Sequence, residues 1–253
     1  MRTVAIIPAR YASTRFPGKP LADLGGKSII QRVYEAVAAA EMINQVIVAT
    51  DDDRIFDHVQ TFGGEVTMTS PNHPSGTDRI AAVARKLSDA DVIVNVQGDE
   101  PFVTVQQLAA LLNNFVHPHV SIATLARRID KSEDLLSPNV VKVVKDARGK
   151  AIYFSRHAIP FLRDLPLGQW VAEGAHYQHL GLYAYRKNTL LELTGLPNST
   201  LEQQEKLEQL RWLSAGYNIY VAETKQTSIG IDTPADLERA RNYLETMEGR
   251  DLA

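Results

Sequence analysis

Along the first hundred residues, two hydrophobic periods alternate. TVAIIPA (3–9) is apolar and β-branched on both faces, SIIQRVYEAVAAA (28–40) carries apolar residues at helical spacing, and QVIVAT (45–50) returns to a continuous apolar run. The exchange then repeats through the helical DDRIFDHVQTFG (52–63), the short strand EVTMTS (65–70), the helical TDRIAAVARKL (77–87) and the strand DVIVNVQ (91–97). Buried strands joined by amphipathic helices predict βαβ units and a parallel sheet covered on both faces. Thr104 and Gln107 have the spacing of a capping box before the helical VQQLAALLNNF. The regularity then breaks. VSIATLARRI, VVKVVKDARGKAIYFS and HLGLYAYR read as strands, with KDARGK as a hairpin turn. Helical pattern resumes at TLEQQEKLEQLRWLSAG, followed by a strand NIYVAE and a last helix PADLERARNYLETM. The fold expected is α/β: one three-layer α/β/α domain over residues 1–253 with a mostly parallel sheet and a β-rich insertion from about Pro118 to Arg186. No flexible boundary brackets the insertion, which disfavours a separately folding second domain there.

Composition narrows the classes. The chain has 253 residues, is 44% hydrophobic and 23% charged, and carries a formal net charge of -3, so no global basic field points to nucleic acid. There is no cysteine, which excludes a disulfide framework, thiol catalysis and thiolate metal sites. The N-terminus lacks a signal-peptide core, and no apolar run approaches the ~18 residues of a membrane span. A soluble, cytoplasmic protein without nucleic-acid or membrane partners is expected.

The chemistry concentrates where strands end, which is where open α/β sheets bind ligands. IIPARYASTRFPGKPL leaves the first strand and at once places Arg10, Arg15 and Lys19 in a loop of small residues and prolines. It lacks both the G-x-G-x-x-G fingerprint and the P-loop order of glycines before Lys-Ser/Thr, which disfavours Rossmann and P-loop readings. Two guanidinium forks, an ammonium and the backbone near Gly18 suit a phosphate chain. A solvated loop is the alternative. NVQGDEPF ends the fourth strand with Gly98, Asp99 and Glu100; Thr104 already serves as the helix cap, so Asp99 is available as a ligand to a hard cation. In GIDTPADL, Thr233 is the cap, Pro234 fits the first helical position, and Asp236 suits the first turn. Asp232 is left over. It reads either as an exposed turn acid or, with Asp99, as half of a two-carboxylate Mg²⁺ site.

HPSGTDR (73–79) sits at a helix N-terminus, where Ser75, Gly76 and Thr77 favour anions and carbonyl oxygens, or where a hydroxyl simply caps the helix. TDDD (50–53) reads mainly as capping. YFSRHAIP and HLGLY put Arg156 and His179 on or beside strands of the insertion, where they could receive a carboxylate and hydroxyls or be structural.

Taken together, IPARYASTRFPGKPL, HPSGTDR, VNVQGDEP, FSRHAIP, HLGLYAYR, LEQLRWLSAG and GIDTPADLERA occur in this order across nearly the whole chain, which thereby resembles the 3-deoxy-manno-octulosonate (Kdo) cytidylyltransferases. One departure is Ala158, where family members often carry proline. The resemblance implies a nucleotidyltransferase-type sheet and the activation of Kdo by CTP, giving CMP-Kdo and pyrophosphate for lipopolysaccharide synthesis. It implies that Arg10, Arg15 and Lys19 hold the triphosphate, and that Ser75, Gly76, Thr77, Asp78 and Arg79 line the nucleoside pocket. Asp99 and Asp232 would hold Mg²⁺, with Gln97 beside the sugar. Arg156 and His179 would face the Kdo carboxylate and hydroxyls, with Tyr183, Glu205 and Glu208 in reach. Arg10, Lys19, Asp99 and Asp232 would carry catalysis. The resemblance further implies a homodimer, with the insertion as the place to look for its interface. Two other readings stand beside it: a cytidylyltransferase for 8-amino-Kdo or a sialic acid, and a non-catalytic nucleotide-sensing module.

Overall fold

The computed structural model describes residues 1–12, 15–227 and 229–251, with side chains through Met247; Ser13 and Thr14 of the cationic loop lie outside the described residues. The described chain divides into two compact units, Met1–Leu108 with Ser228–Ala253, and Ala109–Thr227.

In the first unit, β1 (Thr3–Ala9) lies between β4 (Gln45–Thr50) and β6 (Val92–Asn95), and β5 (Val66–Met68) adds to β4. All these pairs are parallel, as the apolar runs predict. The intervening helices are α1 (Ile29–Ala38), α2 (Asp53–Thr61) and α3 (Gly76–Ala84), and a small antiparallel hairpin of β2 (Asp23–Leu24) and β3 (Lys27–Ser28) precedes α1. Each helix starts on a side chain that accepts from its first turn: Ser28 for α1, Asp52 for α2 and Ser75 for α3. The capping reading of TDDD holds for Asp52, whereas Asp51 turns inward to the fully buried Arg79 at 2.7 Å. Strand centres such as Ile6, Ile47 and Ile93 are all but inaccessible, so the sheet ends are held rigidly.

α4 (Val105–Leu112) begins on the Thr104–Gln107 capping box, with Gln107 N–H donating to Thr104 Oγ1 at 3.2 Å and Thr104 N–H donating to Gln107 Oε1 at 2.9 Å. In the second unit, β7 (Ile122–Arg128) pairs antiparallel with β10 (Tyr177–Arg186), and β8 (Lys142–Lys145) joins β10 and β9 (Ala151–Ser155), also antiparallel. The KDARGK turn closes with Gly149 N–H donating to the Asp146 carbonyl at 3.0 Å, Gly149 taking a φ of 78°. Short helices α5 (Ser132–Leu136), α6 (Trp170–Glu173), α7 (Lys187–Leu193), α8 (Thr200–Glu205) and α9 (Gln209–Ser214) follow in chain order, and β11 (Ile219–Glu223) runs parallel to β7. This unit is wider than the 118–186 segment read from the sequence, because β11 folds onto β7. The helical run 200–216 is also split. Lys206 adopts the left-handed conformation at φ 55°, ending α8 before α9 starts. α10 (Pro234–Asp251) returns the chain to the first unit.

Candidate active site

Two clusters of chemistry-bearing side chains are present, one in each unit. The first is built at the carboxyl ends of β1 and β6. Gly18 N–H donates to the Tyr11 carbonyl at 2.9 Å, closing the cationic loop on itself, and Gly18 takes a φ of 72°. A Cβ there would sit 3.1 Å from the Tyr11 ring, so both backbone and space demand glycine. The Arg54 guanidinium stacks on the Tyr11 ring, 3.3 Å from its centroid. Lys19 opens a single turn with Pro20 behind it. The proline- and glycine-rich composition thus fixes the loop and its cations.

Gly98 is required for a different reason. A Cβ at that position would lie 2.9 Å from the Pro8 carbonyl oxygen, so only glycine lets the two strand ends meet. Asp99 follows at once, and its carbonyl accepts from Ile231 N–H at 2.9 Å. That single backbone bond brings the two acidic segments, far apart in sequence, to one place. Asp232 is next to the buried Ile231, while its neighbour Asp236 takes over the capping, accepting from Thr233 N–H at 2.8 Å. The Asp232 carboxylate takes no part in that cap.

The two carboxylates converge on one cation. Lys19 Nζ lies 2.6 Å from Asp99 Oδ2 and 3.3 Å from Asp232 Oδ1, and Arg15 reaches Asp232 Oδ1 at 3.0 Å. An ammonium held by two acids shows that this spot accepts a positive charge, and the donors are the hard carboxylate oxygens that suit Mg²⁺. Asp99 and Asp232 thus fit a divalent ion completed by substrate phosphates. Beside them lies a cavity of about 320 Å³, bounded by Arg10, Lys19, Ser75, Gly76, Gln97 and Asp99 among others. Arg10 donates to the His73 carbonyl, and Gln97 Nε2 donates to Asn95 Oδ1 at 2.9 Å.

Not every residue of HPSGTDR faces this cavity. Ser75 and Gly76 line it; Ser75 Oγ also accepts from Asp78 N–H at 3.1 Å and donates to Asp78 Oδ2 at 2.6 Å. Thr77 and Arg79 are buried, and Arg79 donates to Asp51 and to the Thr69 hydroxyl instead of lining the cavity. α3 is buried nearly all round, with Thr77, Arg79, Ile80, Ala81, Val83 and Ala84 all enclosed, so only its first residues reach the cavity.

The second cluster belongs to the second unit. The register of β10 on β7 shifts between Leu180 and Tyr183, an irregularity that surrounds the buried Thr124. Thr124 Oγ1 donates to the Leu182 carbonyl at 2.8 Å and lies 3.0 Å from His179 Nε2. The Thr124 hydroxyl also reaches the Leu180 carbonyl at 3.2 Å, so it joins the irregular stretch of β10 to the His179 ring. His179 packs against Phe154 and Tyr183, with ring centroids 5.0 and 5.3 Å away. Burial among these side chains lowers its pKa to about 3. Burial, with the Glu208 charge adding, pushes the Tyr183 phenol well above its ordinary value. Arg156 and Glu205 are joined directly: Glu205 Oε2 accepts from Arg156 N–H at 2.9 Å, and Glu205 Oε1 accepts from Ser155 Oγ at 2.6 Å. Glu208 lies 4.0 Å from Arg211.

Sequence reasoning missed Asp51, Tyr11, Thr124, Ser155 and Lys142. A lysine inside the apolar VVKVVK, fully buried in the structure, is the one signal among them that pattern alone offered.

A family model described as cytidylyltransferase matches residues 4–225. The chain belongs to that cytidylyltransferase family. It is 50% identical over 249 residues to the 3-deoxy-manno-octulosonate cytidylyltransferase of Parabacteroides distasonis, covering 96% of this chain and 98% of the relative. It is 51% identical over 238 residues to the protein of that name from Cytophaga hutchinsonii, covering 93% and 95%. A solved structure of CMP:2-keto-3-deoxy-manno-octonic acid synthetase complexed with CTP superposes with a TM-score of 0.91 at 41% identity, over 98% of this chain and all of that one. Within the family, the chain groups with these 3-deoxy-manno-octulosonate enzymes, and its α/β fold is theirs.

Proposed function

We propose that the chain activates Kdo for lipopolysaccharide synthesis: the anomeric hydroxyl attacks the α-phosphorus of CTP in line, CMP-Kdo forms, and pyrophosphate leaves. The observation that carries the mechanism is the cationic loop meeting two converging carboxylates beside one cavity in the first unit. Both reactants are anionic, so the site must first overcome their repulsion. Arg10, Arg15 and Lys19 supply that charge for the triphosphate and stabilise what develops on the departing pyrophosphate. Ser75 and Gly76, at the start of α3, take the nucleoside side of the cavity, with Thr77, Asp78 and Arg79 acting behind them to hold the turn. Asp99 and Asp232 hold Mg²⁺, which when bound neutralises phosphate charge and lowers the pKa of a hydroxyl that contacts it.

On the sugar, Arg156 receives the carboxylate and His179 serves hydroxyls. The division follows from charge: a histidine kept neutral by burial is a hydrogen-bonding group at pH 7, which leaves the guanidinium as the anion receptor. Gln97 and Tyr183 extend this polar surface, with Glu208 beside the phenol. Glu205, already accepting two hydrogen bonds, works by holding Arg156. No Ser-His-Asp relay is present among the described site residues, and direct transfer without a covalent enzyme intermediate is the reading adopted. The protein works in the cytoplasm, as a homodimer. Pyrophosphate release with Mg²⁺, CTP and Kdo tests the function, with 8-amino-Kdo, a sialic acid and UTP as comparison substrates. Release with CTP and Kdo alone is expected; CTP binding without release for any sugar would overturn it.

A further inference from the structure

Arg156 stands at the end of β9 and is fastened at four points. Its N–H donates to Glu205 Oε2 at 2.9 Å, its carbonyl accepts from Lys142 Nζ at 2.5 Å, its Nε donates to the Glu205 carbonyl at 2.8 Å, and its Nη1 donates to the Pro138 carbonyl at 2.9 Å. A longer contact joins Nη2 to the Lys206 carbonyl at 3.5 Å, made possible by the left-handed turn at Lys206. An arginine has five N–H donors, so these contacts leave one on each terminal nitrogen for a ligand.

Lys142 is the unexpected partner. Its side chain is wholly buried, and besides the Arg156 carbonyl it donates to those of Ser137 at 2.9 Å and Val140 at 2.6 Å. All three ammonium hydrogens are thereby used. Lys142 grips the 137–140 loop at both ends, while Arg156 grips it at Pro138 between them. A buried ammonium is costly to desolvate, and burial pushes the Lys142 pKa down against the opposing charge of Glu205. Chain connectivity does not call for this arrangement: β8 and β9 already pair through Lys142 and Ser155. What the ammonium adds is a fixed place for the backbone of Arg156 and for the carbonyls on which its guanidinium rests. Groups that receive a ligand are held by partners that lock their own geometry.

We propose that Lys142 is a positioning residue for sugar-acid binding, clamping Arg156 and the 137–140 loop so that the guanidinium is preset for a carboxylate. The inference rests on the reading above that Arg156 receives that carboxylate. Presetting lowers the ordering cost of capture, so its loss appears in the sugar and not in the nucleotide.

Steady-state kinetics of the full chain test this, varying Kdo at saturating CTP and CTP at saturating Kdo, with the thermal midpoint recorded for every variant. Arg156→Lys should raise KM for Kdo by about tenfold or more, because a point charge replaces a planar fork. Lys142→Met should raise KM for Kdo by roughly tenfold and leave KM for CTP and kcat within about threefold. A general loss of structure would move all of these together. A folded Lys142→Met protein with unchanged KM for Kdo, alongside a damaged Arg156→Lys, overturns the positioning role. An unchanged KM for Kdo in Arg156→Lys instead overturns the sugar-carboxylate reading on which it stands. Should Lys142→Met fail to fold, Lys142→Gln, one bond shorter and with two N–H donors, cannot serve all three carbonyls; a rise in KM for Kdo with KM for CTP unchanged supports the clamp, and no rise overturns it.

Discussion

The two clusters solve opposite problems. In the first unit, charges of both signs stand beside an open cavity: Lys19 is 13% exposed, Asp99 29%, Asp232 49% and Arg15 67%. On the proposed reading, these ion pairs give way to triphosphate oxygens and metal, most readily at the exposed Arg15–Asp232 pair, since exposed pairs are worth little in themselves. In the insertion, the polar groups are locked. Lys142 has no solvent, His179 is held neutral, and Arg156 is tied through both its backbone and its side chain. A site that must release a highly charged product benefits from exchangeable partners, whereas recognition of a sugar acid benefits from a rigid template.

Substitutions should therefore behave differently in the two places. The largest effect belongs to Asp99→Asn, which removes a carboxylate from the converging pair. Turnover should fall by about 10³-fold while the thermal midpoint is kept, as read by pyrophosphate release and calorimetry. Near-normal turnover in a folded protein would remove Asp99 from the chemistry. Lys19→Met comes next, with kcat/KM for CTP expected to drop by roughly 10²-fold and KM for Kdo to hardly move. An equal effect on both substrates would erase the distinction between the clusters. Gly98→Ala should act on stability, because its Cβ would meet the Pro8 carbonyl oxygen at 2.9 Å. A loss of about 1–3 kcal/mol in chemical denaturation is expected, and unchanged stability would show that the strand ends can part.

The most gradual effect is a pH slope. His179 has a folded pKa of about 3 against an ordinary 6.5, so below pH 6.5 the unfolded chain takes up a proton that the folded one refuses. Its contribution is intact above pH 6.5 and is lost as pH falls toward 3, at up to about 1.4 kcal/mol per pH unit, less to the extent that solvent reaches the residue. His179→Gln should flatten denaturation midpoints over pH 6.5–4 relative to the parent. Parallel curves for the two proteins would mean that the ring is charged in the folded state.

The same contrast governs what could be read before the structure. The first cluster was legible because its parts sit where strands end and helices begin, and because capping rules account for Thr104, Ser75 and Thr233 while leaving Asp99 and Asp232 over. The convergence of those two acids depends on the Ile231–Asp99 backbone bond, which no local pattern encodes. In the insertion, strands and hairpin turn were visible, but the clamp joins residues 137–142, Arg156 and 205–206 through backbone carbonyls. Carbonyls carry no side-chain signature. The break at Lys206 was hidden for a related reason: TLEQQEKLEQLRWLSAG has helical spacing throughout, and tertiary contacts decide where it turns.

Whether the chain joins CTP to Kdo is read most directly by pyrophosphate release from the purified protein with Mg²⁺, CTP and Kdo, against UTP and against 8-amino-Kdo. Release that requires both CTP and Kdo is expected. Release that is indifferent to the sugar supplied, or binding of CTP with no release at all, would rule the proposed reaction out.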